Sequence, residues 1–140
     1  MRSMEHIQSF INAFVLWASA QPDIYAVGLV GSYALNAAKD DSDIDLVILA
    51  EQPRKYLEDI IWAEQFGEIE KYQVEEYGKL TSLRVWYHSG HEMEYGLTTL
   101  DWVAQPLDVG TERVISNGML VLFERKPLLS LHLANRASST

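Results

Sequence analysis

Apolar residues recur at spacings of three and four from Ile7 through Phe10, Ile11, Phe14 and Val15 to Ala18. That pattern predicts a helix over 3–20 that buries one face, and Pro22 with Asp23 ends it. The chain then changes to a nearly continuous β-rich run over 24–30, as a central strand buried on both faces requires. The run stops at Gly31-Ser32, where a glycine-led turn is expected. Alanine-rich 33–38 predicts a short helix, 39–42 a polar turn, and 44–49 a second buried strand. Over 53–66, Tyr56, Leu57, Ile60 and Ile61 share a face opposite Glu64 and Gln65, which predicts one or two helical turns closed by Gly67.

Beyond Gly67, residues 68–77 alternate in part, and 80–88 pairs through Ser89-Gly90 with 91–97 as a hairpin. A helix over 108–117 ended by Gly118, a last strand over 119–123, and a short helix or loose tail over 126–140 complete the pattern. No internal repeat, low-complexity block or linker interrupts it, so 1–126 is expected to form one domain and 127–140 a C-terminal tail. The length, 140 residues, and a 48% hydrophobic content suit a single domain with a real core.

Charge and composition remove whole classes of function. With 11 basic residues against 20 acidic ones, the formal net charge is −9, and binding to a phosphate backbone draws on released counterions at basic surfaces. Long nucleic acid is therefore not expected as a partner. The absence of cysteine excludes disulfide scaffolds, thiolate zinc sites and cysteine nucleophiles. The N-terminal segment has neither a signal-peptide cleavage site nor the ~20 apolar residues of a membrane span, so a cytoplasmic protein without membrane contact is expected.

Candidate chemistry sits at the ends of the first two predicted strands. Ten residues separate Gly31-Ser32 from Asp43-Ile44-Asp45. Side chains at i and i+2 of a strand share a face, so Asp43 and Asp45 present paired carboxylates while Ile44 turns to the core. The nearest basic residues in sequence are Lys39 and Arg54, so an oxygen-seeking divalent cation is the more natural counter-charge. Gly-Ser ahead of a helix offers backbone N–H groups and a hydroxyl to phosphate oxygens. Phosphate and metal side by side point to a nucleoside triphosphate.

This Gly-Ser, ten residues, Asp-x-Asp arrangement, set in Ser42-Asp43-Ile44-Asp45-Leu46-Val47-Ile48, resembles the signature of the DNA polymerase β-like nucleotidyltransferase superfamily, in its minimal type. The resemblance implies an α+β fold: a mixed sheet flanked by helices. It also implies that Gly31 and Ser32 grip the triphosphate, that Asp43 and Asp45 bind Mg²⁺, and that a later strand carries a third carboxylate. Glu94, between Met93 and Tyr95, fits that third place; Glu92, on the same face, competes for it. Three carboxylates suffice for two Mg²⁺ about 3.5–4 Å apart, with Asp43 on both and Glu94 as ligand, base or both. Many minimal members carry Arg-Gly a few residues after the Gly-Ser, where this chain has Leu35-Asn36. Either Lys39 replaces the missing charge at the phosphates or nucleotide binding is weakened.

Other residues carry weaker signals: His88 and His91 beside the hairpin turn, Trp86, Tyr87 and Trp102 for stacking, and Arg84 as a balance for the acids. The expected activity is transfer of a nucleoside monophosphate, AMP from ATP, to a hydroxyl. Two acceptor classes compete: a small molecule such as a cationic antibiotic, attracted by the acidic surface, or a partner protein, as in toxin–antitoxin pairs. A catalytically idle binding module with the same fold is the alternative. With so little chain after the last strand, a homodimer or hetero-complex is expected to complete the acceptor pocket, with 127–133 as a candidate contact.

Overall fold

The computed structural model describes residues 4–31, 43–103 and 109–130. In chain order these form α1 (Met4–Ser19), β1 (Ile24–Val30), β2 (Ile44–Ala50), α2 (Arg54–Glu58), α3 (Ile61–Glu64) and β3 (Ile69–Tyr77). There follow β4 (Leu80–Tyr87), β5 (Glu92–Thr98), a 3₁₀ turn (Leu100–Val103), α4 (Val109–Asn117) and β6 (Met119–Glu124). The short helix expected over 33–38 lies outside the described residues.

The six strands make one mixed sheet in the order β3-β4-β5-β2-β1-β6. All neighbours are antiparallel except β2 and β5, which run parallel. β1 and β2 stand inside the sheet, which explains their continuous apolar runs: both faces of each are covered. Two hairpins carry the acidic half. One joins β4 to β5, as the Ser89-Gly90 turn predicts, and the other joins β3 to β4 through Gly78, whose φ is +68°.

One face of the sheet packs on α1, α2 and α3. The α1 positions Ile7, Ile11, Phe14 and Ala18 are buried there while Leu16, on the opposite side, is 74% exposed. Phe14 stacks on Tyr95 of β5 at 5.6 Å, and Trp62 meets Tyr95 edge-on at 4.9 Å. The Tyr95 hydroxyl lies 2.8 Å from that of Tyr87, which donates to the carbonyl of Ala63. β5 is thus fixed from behind along the segment that carries Glu94.

The opposite face holds a smaller core of Ala26, Val47, Leu49, Trp102, Ile115, Met119 and Leu129. Leu129 is fully buried, and the Glu124 carboxylate accepts from the backbone N–H groups of Leu128, Leu129 and Ser130. These N–H bonds and the Ser130 hydroxyl hold Glu124 below the usual carboxylate range, against its partial burial. Leu128 and Leu129 therefore pack on their own domain; residues 131–140 are outside the described part.

Candidate active site

Alternation along β2 divides its side chains between the two faces. Ile44, Leu46 and Ile48 enter the larger core and Val47 and Leu49 the smaller one, which places Asp45 on the face of α4. Asp43 stands immediately before the strand. In the parallel ladder between β2 and β5, Ile44 pairs with Met93 and Asp45 with Glu94. A carboxylate oxygen from each of Asp43, Asp45 and Glu94 then lies within 4.8 Å of the others, all three residues being half-buried.

Asp45 is the centre of this group. Burial, followed by hydrogen bonding and repulsion from the carboxyls of Glu94 and Asp43, pushes its pKa up to about 9. Its Oδ1 is buried with no hydrogen-bond partner. An orphaned buried carboxylate oxygen among further carboxylates is costly without a cation, and hard oxygen donors in this number suit a small divalent ion such as Mg²⁺. The residues present fit such an ion.

Gly31 closes on the same carboxylate. Val30 pairs with Asp45 across the β1–β2 ladder, and Gly31 turns away with φ +76°. A Cβ at this position would run into Oδ2 of Asp45. The glycine therefore serves both the left-handed turn and the close passage of backbone past an acid. Ser32 and Lys39, expected beside it at the phosphates, lie outside the described residues, as do Leu35 and Asn36.

Cross-strand neighbours separate the two acids of β5. Ser82 of β4, itself buried, donates from Oγ to Glu94 Oε1 at 3.2 Å. Arg84 takes Glu92 instead, with Nη2 3.1 Å from its Oε2. The same Nη2 lies 4.0 Å from Asp43 Oδ2, and Nη1 lies 3.6 Å from Glu75 Oε1. A cation from another strand therefore faces the acids, where the neighbourhood in sequence offered only Lys39 and Arg54. Arg84 is the basic residue expected as a possible balance, and Ser82 is the contact that sequence reasoning missed.

The acids open onto a cavity of about 620 Å³ between the sheet, the β3–β4 turn and α4. Asp45 and Glu94 form part of its wall, and Leu80, Trp102, Thr111 and Val114 form much of the rest. Gly96 also lines it, and there is no room for a side chain at that position, since an added Cβ would meet the carbonyl oxygen of Leu46 at 2.9 Å. Of the aromatic candidates, Trp102 lines this cavity, Tyr87 is buried on the other face, and Trp86 lies under Lys71 and Arg84. His91 bonds to Ser89 Oγ at 2.8 Å and faces a separate recess with Phe10, Phe66 and Met93, away from the carboxylates.

Comparison with curated protein sequences returned no match. Solved structures do share the fold. An aminoglycoside 6-adenyltransferase from Bacillus subtilis superimposes with a TM-score of 0.57 at 20% identity, over 86% of this chain and 41% of that one. The polymerase core of TRAMP, an RNA surveillance complex, does so with a TM-score of 0.52 at 19% identity, over 69% and 32%. This chain thus spans less than half the length of either protein. The nucleotidyltransferase domain model matches residues 15–95, more than half of the sequence, from within α1 into β5 and with Gly31, Asp43, Asp45 and Glu94 inside the match. On that match the chain belongs to the nucleotidyltransferase domain family.

Proposed function

We propose that this domain transfers a nucleoside monophosphate, AMP from ATP, to a hydroxyl acceptor in a reaction that depends on divalent metal. The observation that carries the proposal is the meeting of Asp43, Asp45 and Glu94 at the mouth of a cavity, within the segment that matches the family. In this reading the three carboxylates hold Mg²⁺, and two ions suit the donor set. When bound, the metal neutralises charge on the transferring phosphoryl group and on departing pyrophosphate. Gly31, with Ser32 and Lys39, serves the triphosphate through backbone N–H groups, a hydroxyl and an ammonium. Ser82 orients Glu94, which is within reach of the same site to accept the proton of an attacking hydroxyl.

The acceptor is a small molecule or a partner protein. A net charge of −9 favours a cationic acceptor, and the fold relative from B. subtilis is an aminoglycoside adenyltransferase. This chain corresponds to less than half of that protein, and in this reading a homodimer or hetero-complex completes the acceptor pocket. A catalytically idle binding module is the second reading, favoured by Leu35-Asn36 where many minimal members carry Arg-Gly.

Scanning calorimetry with Mg²⁺ and ATP, together and separately, tests the first step. Ligands that bind only the folded state stabilise it by RT ln(1 + [L]/Kd), so the pair should raise Tm more than either alone. Incubation with α-labelled ATP and candidate acceptors then tests transfer. Stabilisation without label transfer to any acceptor supports the idle module, and no stabilisation at millimolar Mg-ATP overturns nucleotide binding altogether.

A further inference from the structure

A fourth carboxylate, Glu92, stands beside the three on the β2–β5 ladder. Glu94 is beside Asp45 in the parallel ladder, and one step before the paired Ile44 and Met93 come Asp43 and Glu92. Alternation puts Glu92 on the same face as Glu94. The difference between them comes from β4. Arg84 stands directly opposite Glu94 in the antiparallel ladder, yet its guanidinium reaches toward Glu92 and Asp43 with one nitrogen and toward Glu75 with the other. The Arg84 side chain also lies over the Trp86 ring at 5.4 Å, and Lys71 lies over the same ring at 4.8 Å. Trp86 thus supports the guanidinium on its aromatic face and narrows its choice of rotamer.

We infer that Arg84 is a positioning residue that sequesters Glu92 from the metal site, leaving three carboxylates to the ion and fixing Glu94 as the third ligand. The inference rests on the proposed metal role of Asp43, Asp45 and Glu94. Its physical basis is that an ion pair at 3.1 Å engages Oε2 of Glu92, whereas Glu94 accepts only from a neutral hydroxyl. Arg84 is only 4.0 Å from Asp43, so it also competes mildly with the metal for that acid.

The test is a double-mutant cycle on the full chain, read as Mn²⁺ affinity without nucleotide, by the loss of the free-ion electron paramagnetic signal. Arg84→Met should tighten Mn²⁺ binding by about tenfold or more, since it frees Glu92 as a fourth ligand and removes a competing cation. Glu92→Gln should weaken it, because the released guanidinium turns to Asp43. The double variant should return to within about threefold of the unaltered protein, because it removes one cation and one anion together and leaves the three ligands in place. Arg84→Met at unaltered affinity while folded, judged by Tm, overturns the inference, as does a double variant that keeps the tightened affinity or stays as weak as Glu92→Gln. If Arg84→Met fails to fold, Arg84→Lys replaces it: loss of the planar fork should still tighten binding, and unaltered affinity counts against the inference. Absence of Mn²⁺ binding in the unaltered protein overturns the metal reading itself.

Discussion

Glu92 and Glu94 show how far a single strand can be read without its neighbours. Both acids fall on one face, and the apolar flanks of Glu94 are legible in sequence: Met93 and Tyr95 prove 1% and 0% exposed. Missing from that reading were Ser82 as a partner of Glu94 and the choice of Glu92 by Arg84, which was legible only as a balance for the acids, because the pairing of side chains across β4 and β5 is set by their register. If Glu94 is the third metal ligand, Glu94→Gln should slow transfer by at least about a hundredfold, on the order of 2.7 kcal/mol of transition-state stabilisation. Glu92→Gln, measured at saturating Mg²⁺, should change the rate by only a few-fold. Steady-state rates with labelled ATP rank the two variants, and the reverse ranking would move the role to Glu92.

At the level of elements, α1 follows from periodicity, β1 and β2 from continuous apolar runs and the β4–β5 hairpin from its turn, and the expected strand over 24–30 coincides with β1. The order of strands does not follow: nothing in the pattern of β2 says that β5, rather than β3, will run parallel beside it, although that pairing joins Asp45 to Glu94. The 3₁₀ turn at Leu100–Val103 also escaped, since four residues are too few to show a period. The β1 turn offers an element-scale test with an internal control. Gly31 and Gly78 both have positive φ, at +76° and +68°, so alanine at either site incurs about 1–2 kcal/mol of backbone strain. Only at Gly31 would the new methyl also displace the Asp45 carboxylate, because the space around Gly78 is open to 4 Å. Both variants should therefore lose a few degrees of Tm, while Gly31→Ala alone should lose Mn²⁺ and nucleotide affinity. Equal binding by the two variants would show that the turn does not govern Asp45.

Over the whole molecule, two cores of unequal size hold the sheet, and an acidic site is built where the smaller one leaves a cavity. Buried apolar positions were legible as a set; their division between faces was clear only for strands of known register. The cost of building that site in a chain of net charge −9 should be measurable as a dependence of stability on pH. Asp45 titrates at about 9 in the folded protein against 3.8 for the free side chain, because burial and the carboxyls of Glu94 and Asp43 disfavour its anion. Between those values the folded state binds more protons than the unfolded state, so stability falls as pH rises through this window. Glu124, held below the usual range, contributes a slope of its own, and comparison with Asp45→Asn removes that shared part. In EDTA, the Tm of Asp45→Asn relative to that of the unaltered protein should be lowest at or below about pH 4 and rise steadily up to pH 9. Mg²⁺ should close the gap by stabilising the unaltered protein alone, since the amide is a poor ligand and leaves too few carboxylates to hold the ion. Parallel curves in EDTA would mean that Asp45 is ionised at no cost in the metal-free fold, and an equal response to Mg²⁺ would remove Asp45 from the metal site.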